Sequence, residues 1–192
     1  MKDRVYATRL PFQRRPPERG ERPYGRLRRF VLVNQSTERS FGGGHSIDLS
    51  TAMKILLAAD AGKPTKRMLA YVAAHDQWLG AAHQYTVLHV VPFMPARLAA
   101  LASDERIQRY YRDEAERVFK PIKGFFKKHG LQADFVSRAG NVASVIAKLA
   151  DRSGFDLLMM GSHGHDNLAN LLMGSVATKV LAGSKVAVLL LR

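Results

Sequence analysis

The feature that most constrains the fold is a regular alternation of short apolar runs with amphipathic segments, beginning at Met53. The first run, residues 54–60, is apolar almost throughout, as is typical of a strand buried on both faces of a parallel sheet. Four further runs lie at residues 85–91, 133–137, 156–160 and 186–191. Strands that alternate with helices at this spacing predict right-handed crossovers and a doubly wound, Rossmann-like parallel α/β sheet of five strands.

The segments between these runs carry helical periodicity. The spacing of Leu69, Val72, Ala73 and Leu79 predicts a first helix that ends at Gly80. A long helix should begin near Ser103 and end at Gly130, and its apolar stripe, which includes Tyr110, is predicted to be core. Proline cannot donate a backbone hydrogen bond, so Pro121 is expected to kink or split this helix. Two shorter helices are predicted after residue 141 and over residues 175–181.

Residues 1–52 differ from the rest of the chain in composition. They hold 11 Lys and Arg against 5 Asp and Glu, with several Pro and Gly and one short apolar patch, residues 30–33. No helical or strand period is sustained, so most of this extension is predicted to be disordered, leaving residues 53–192 as the folded domain. The extension is interpreted either as a basic arm or as a dispensable tail. A second hypothesis is that translation begins at Met53.

The composition of the whole chain limits the function classes. The 192 residues include no cysteine, which excludes disulfides and Cys-ligated zinc or iron–sulfur sites. No apolar run approaches the length needed to span a bilayer, so the sequence predicts a cytoplasmic protein with no membrane partner. The net charge is +14, but both signs are mixed beyond residue 52, and this favours a solvated surface over a nucleic-acid interface.

A glycine-rich stretch follows the fourth apolar run. Gly161-Ser-His-Gly164 and Gly174-Ser175 give the spacing G-x2-G-x9-G-S and read as strand, loop and helix. Such a junction can bind an anion, because glycines let the backbone approach a phosphate and the following helix presents free N–H groups. The spacing is neither that of a P-loop nor that of the dinucleotide fingerprint.

Ligands in open parallel sheets bind beyond the carboxyl ends of the strands. Asp60, Val90 and Gly161 all lie at or near such ends, and the Asp60 carboxylate can accept hydrogen bonds from ribose or an adenine amino group. His163 and His165 lack an evident third ligand, so no metal site is predicted. No catalytic constellation is evident from the spacing of Ser, His and Asp.

The glycine stretch, Val176 and the opening residues 53–60 resemble the universal stress protein family in its ATP-binding branch. The resemblance covers residues 53–192 and implies a parallel sheet of order 3-2-1-4-5. It further implies ATP as ligand, with Mg²⁺ carried mainly by the phosphates, and a homodimer formed by antiparallel pairing of the last strand, residues 186–191. By the same resemblance, the site residues would be Asp60, Val90, Met160, Gly161, Gly164, His165, Gly174, Ser175 and Val176.

The resemblance also assigns roles within that set. Asp60 would contact adenine or ribose, the backbone of Val90 would hold the adenine edge, and the glycines with Ser175 would hold ribose and phosphates. The chain departs from the family pattern at Ala61 and Gly62, where a small residue and a serine are common, and in lacking a proline before the last strand.

Three functions follow as hypotheses. The first is a nucleotide-responsive stress protein whose ATP hydrolysis, if any, is slow. The second is an interaction dimer that works through its surface or its basic N-terminal arm without a nucleotide. The third is an enzyme of the wider adenine-nucleotide-binding α/β superfamily, which is disfavoured because a second, substrate-binding domain is lacking.

Overall fold

The computed structural model describes residues 31–33, 52–162 and 173–192, and its centre is one six-stranded sheet. The strands are β1 (Val31–Val33), β2 (Lys54–Ala58), β3 (Gln84–Val91), β4 (Ala133–Ala139), β5 (Leu157–Gly161) and β6 (Ala187–Leu191). Their order is β1-β6-β5-β2-β3-β4, and β2 to β6 are mutually parallel. Counted from β2, this is the order 3-2-1-4-5, which confirms the predicted doubly wound fold.

Helices cover both faces of the sheet. They are α1 (Lys63–Ala74), α2 (Asp76–Leu79), α3 (Ala96–Ala99), α4 (Asp104–Lys128), α5 (Val142–Arg152) and α6 (Ser175–Gly183). Alternate residues of β2 point to opposite faces: Ile55 and Leu57 pack with α1 and α4, whereas Leu56 packs with α5 and α6. Within the described residues, none of the helices combines the length and apolarity required to cross a bilayer.

Two helices differ from the prediction. The first predicted helix is interrupted at His75, and α2 begins at the next residue. The His75 ring donates from Nδ1 to the Tyr71 carbonyl at 2.9 Å. Of the kink or split expected at Pro121, the split is wrong, because α4 runs through this residue without a break. Pro121 is exposed, while Val118 and Ile122 on either side of it are buried against the sheet and hold both halves of the helix in place.

The strand β1 was not predicted. It pairs antiparallel with β6 in the register Val31↔Leu190, Leu32↔Leu189 and Val33↔Val188. Three residues are too short to show a strand period, so only the tertiary pairing identifies this segment as a strand. Residues 1–30 and 34–51 lie outside the described residues. The disorder expected for most of this extension therefore stays a prediction.

The central position of β2 predicts a large energetic role for Leu57, which is 0% exposed. We expect Leu57→Ala to lower the free energy of unfolding by about 2–5 kcal/mol, because the surrounding core cannot collapse fully around the cavity. The matched control is Leu98→Ala in α3, where the side chain is 58% exposed and the expected change is within about 0.5 kcal/mol. Urea denaturation measures both, and equal losses would contradict the assignment of β2 to the core.

Candidate functional site

A cavity of about 540 Å³ lies beyond the carboxyl ends of β2, β3 and β5. This is the edge of the sheet at which ligands bind in open α/β folds. The cavity reaches from the start of α1 to the start of α6 and is bounded by α4 on one face of the sheet and α5 on the other. Its lining includes Ala58–Ala61, Pro64, Thr65, Leu88–Pro92, Tyr110, Glu114, Arg117, Val118, Val142, Ile146, Met160–Ser162 and Gly174–Ala177.

Most of the residues predicted from the sequence lie together in this lining. They are Asp60, Val90, Met160, Gly161, Gly174, Ser175 and Val176. The other two, Gly164 and His165, lie outside the described residues. Residues about 115 positions apart in the chain thus meet at one cavity because the parallel strands that precede them are neighbours in the sheet.

The Asp60 carboxylate is held by its own local backbone. Its Oδ1 accepts hydrogen bonds from the Gly62 N–H and from the Thr65 hydroxyl, each at 2.8 Å. The Asp60 N–H in turn donates to the Thr65 Oγ1 at 2.8 Å. Thr65 lies in the first turn of α1. The N-cap residue of this helix is Gly62, which has no side chain that could cap it. The turn and the helix start together fix the carboxylate at the cavity.

His89 fixes the neighbouring strand to the same turn. Its Nδ1 lies 2.9 Å from the Ala59 carbonyl oxygen, which can only accept, so the ring donates from Nδ1. The Ala59 N–H donates to the Leu88 carbonyl at 2.9 Å. His89 is thus a half-buried strand histidine with a partner in the neighbouring turn, and it also lines the cavity.

Backbone hydrogen bonds define the opposite side of the cavity. The Ser162 N–H donates to the Leu191 carbonyl, and the Gly174 N–H donates to the Ser162 carbonyl, both at 2.8 Å. These bonds hold the start of α6 beside the end of β5. The first N–H groups of an α-helix have no carbonyl partner within the helix, and in α6 these belong to Ser175, Val176 and Ala177, which all line the cavity. The positive end of the α6 dipole faces the same space.

Charged side chains do not give the described lining an excess of positive charge. Asp60 and Glu114 are acidic, and Arg117 is basic. Arg117 and Glu114 form an ion pair of 2.7 Å, and this hydrogen bond raises the pKa of the arginine. Among the residues that the structure describes, no group of three or more His, Asp or Glu side chains could hold a metal ion. Arg117 lies on the α4 wall, whereas on the β5 side of the described lining the electropositive groups are the backbone amides at the start of α6.

One wall of the cavity, formed by α4, was not predicted from the sequence. Tyr110, Glu114 and Arg117 follow one another at i, i+4 and i+7 and so share one face of that helix. Tyr110 was predicted to be core, but it is 42% exposed, so that prediction is wrong. The i, i+4, i+7 spacing marks the shared face, but only the packing of α4 on the sheet shows that this face meets the cavity.

A family comparison identifies the domain. The model described as "Universal stress protein family" matches residues 51–192. The chain belongs to the universal stress protein family. The match begins close to β2 and includes the whole cavity lining, so the residues that build the cavity are those of the family domain.

The curated relatives that match this chain are 22% to 32% identical to it over the aligned residues. Universal stress protein MJ0531 of Methanocaldococcus jannaschii is 29% identical over 106 residues, which cover 55% of this chain and 61% of the relative. Across the curated relatives that this stress protein matches, the aligned part spans 43% to 61% of their length.

Solved structures share the fold of this universal stress protein. The structure of protein MJ0577 is similar with a TM-score of 0.58 and 26% identity, covering 73% of this chain and 96% of that one. A universal stress protein from Archaeoglobus fulgidus, solved in complex with dAMP, has a TM-score of 0.52 and 19% identity, with 73% of this chain and 98% of that chain covered. The second likeness shows the fold alone.

Proposed function

We propose that this protein is a universal stress protein of the ATP-binding branch, acting as a nucleotide-responsive regulator in the cytoplasm. The observation that carries the proposal is the pairing of two unlike groups across one cavity. The first-turn amides of α6 suit an anion, and the Asp60 carboxylate suits a donor on a nucleoside. A cavity of about 540 Å³ falls within the range of small-molecule sites.

The proposed binding mode divides the ligand between the two sides. The phosphates would lie against the amides of Ser175, Val176 and Ala177, with Gly161, Gly164 and Gly174 allowing close approach. Adenine and ribose would lie between Asp60 and the backbone of Val90. Met160 and His165 complete the proposed set. Support comes from the Archaeoglobus fulgidus relative, which was solved with dAMP, an adenine nucleotide.

The proposed activity is the binding of ATP, with ATP hydrolysis slow at most. Mg²⁺ would arrive on the phosphates, since this ion commonly keeps several waters and is held through substrate phosphates. The residues of this chain would bind and orient the nucleotide, and a protein partner would sense the nucleotide-bound form. The alternative function, an interaction dimer that needs no nucleotide, makes the opposite prediction for the following experiment.

Ser175→Glu tests the phosphate side. A carboxylate in the first turn of α6 is favourable for the helix dipole, so the variant should fold, but it would repel a bound phosphate. We expect the Kd for Mg-ATP, measured by isothermal titration calorimetry, to rise at least about tenfold relative to Ser175→Gln, a control of similar size without the charge.

Identical affinities in the two variants would contradict the proposed phosphate position. The wild-type protein supplies a further check: after denaturation, mass spectrometry identifies any nucleotide that was retained during purification. A wild-type protein that neither releases an adenine nucleotide nor gains thermal stability in millimolar Mg-ATP would favour the interaction dimer instead.

We also propose a homodimer through the edge of β6, in competition with β1. Strand β6 is apolar, and an apolar edge strand is a template for pairing with another chain. β1 pairs with it over Val188–Leu190 only, so Ala187 and Leu191 lie beyond the pairing. A second copy could pair along the whole strand once β1 is displaced.

Proline substitution in β1 tests this competition. Antiparallel neighbours alternate between hydrogen-bonded and non-hydrogen-bonded pairs, so Val31→Pro combined with Leu32→Pro removes at least one ladder N–H. We expect the double variant to dimerise at lower concentration than the wild type in light scattering after gel filtration. The control, Val31→Thr with Leu32→Thr, keeps every backbone N–H and should behave like the wild type. If the double proline variant stays as monomeric as the double threonine control, the proposal is contradicted.

A further inference from the structure

Thr65 is the only hydroxyl-bearing residue in the segment from Asp60 to Thr65. It is 5% exposed and lines the cavity. Its Oγ1 accepts the Asp60 N–H and donates to the Asp60 Oδ1, so one hydroxyl holds both the backbone and the side chain of the same residue. This double contact restricts the rotation of the carboxylate about its side-chain bonds.

Gly62 supports the same geometry from the other side of the turn. Its N–H donates to the Asp60 Oδ1, and a β-carbon built on Gly62 would lie 3.0 Å from that oxygen and 3.2 Å from Oδ2. A side chain at position 62 would therefore press against the carboxylate. With no side chain there, the Thr65 hydroxyl provides the side-chain contact that orients Asp60.

From these contacts we infer that Thr65 is a positioning residue, which sets the Asp60 carboxylate to accept a hydrogen bond from the nucleoside part of the ligand. The inference rests on the proposed function, since it assigns Thr65 to the adenosine side of that site. It also separates the two sides of the cavity. The α6 amides contact phosphate without help from Thr65, so removal of the hydroxyl should affect the nucleoside contact alone.

The test compares Mg-ATP with Mg-tripolyphosphate, which carries the phosphates without a nucleoside. Thr65→Val removes the hydroxyl at nearly constant volume, and Thr65→Ala removes it without added bulk. We expect each folded variant to bind ATP about tenfold more weakly and tripolyphosphate as well as the wild type does. Thr65→Ser keeps the Oγ and should restore ATP affinity. Circular dichroism and thermal melting establish that the variants are folded.

A double-mutant cycle with Asp60→Ala tests whether Thr65 acts through Asp60. In the Asp60→Ala protein, the further change Thr65→Val should not weaken ATP binding again, because the group that Thr65 positions is already missing. Equal weakening of ATP and tripolyphosphate would overturn the inference and leave Thr65 a structural role. The inference would also be overturned if Asp60→Ala weakened ATP binding and Thr65→Val did not. A wild-type protein without ATP binding would reject the proposed function itself, and the inference with it.

Discussion

The structure depends on the burial of β2 on both faces. Ile55, Leu56 and Leu57 are all fully buried, so this strand must lie inside the sheet with helices above and below it. Its parallel neighbours are β3 and β5, and the chain winds outward from it in both directions. The connections after β2 and β5 then lead to helices on opposite faces of the sheet, α1 and α6, and the cavity lies in the crevice between them.

The two sides of the cavity are held by different kinds of contact. The hydrogen bonds from Gly62 and Thr65 to Asp60 join residues at most five positions apart, so they form with the turn and the first turn of α1. At the start of α6, the bonds run from Gly174 to Ser162 and from Ser162 to Leu191, and they exist only when β5 and β6 are paired. The orientation of the Asp60 carboxylate is thus set largely by local sequence, whereas the position of the α6 amides depends on the assembled sheet.

This difference explains what could be predicted. The five parallel strands were predictable because each is a short apolar run, and Asp60 and Gly174 were predictable because they follow or precede such elements. The exposure of Tyr110 could not be predicted, because the apolar stripe of a helix does not show where the helix extends beyond the sheet on which it packs. The break at His75 was hidden for a similar reason: the apolar spacing continues through it. β1 is recognised only by its partner, β6.

The bond from Ser162 to Leu191 also joins the cavity to the edge of the sheet. Leu191 is the last residue of β6, the strand that β1 covers and that a second copy would have to pair with. A continuous backbone path therefore runs from the α6 amides through Ser162 to this edge. Binding energies are linked reciprocally, so a nucleotide that favours one pairing of β6 must itself bind more tightly when that pairing is present. Nucleotide binding and the exchange of β1 for a second copy at the edge of β6 would then be coupled parts of one equilibrium.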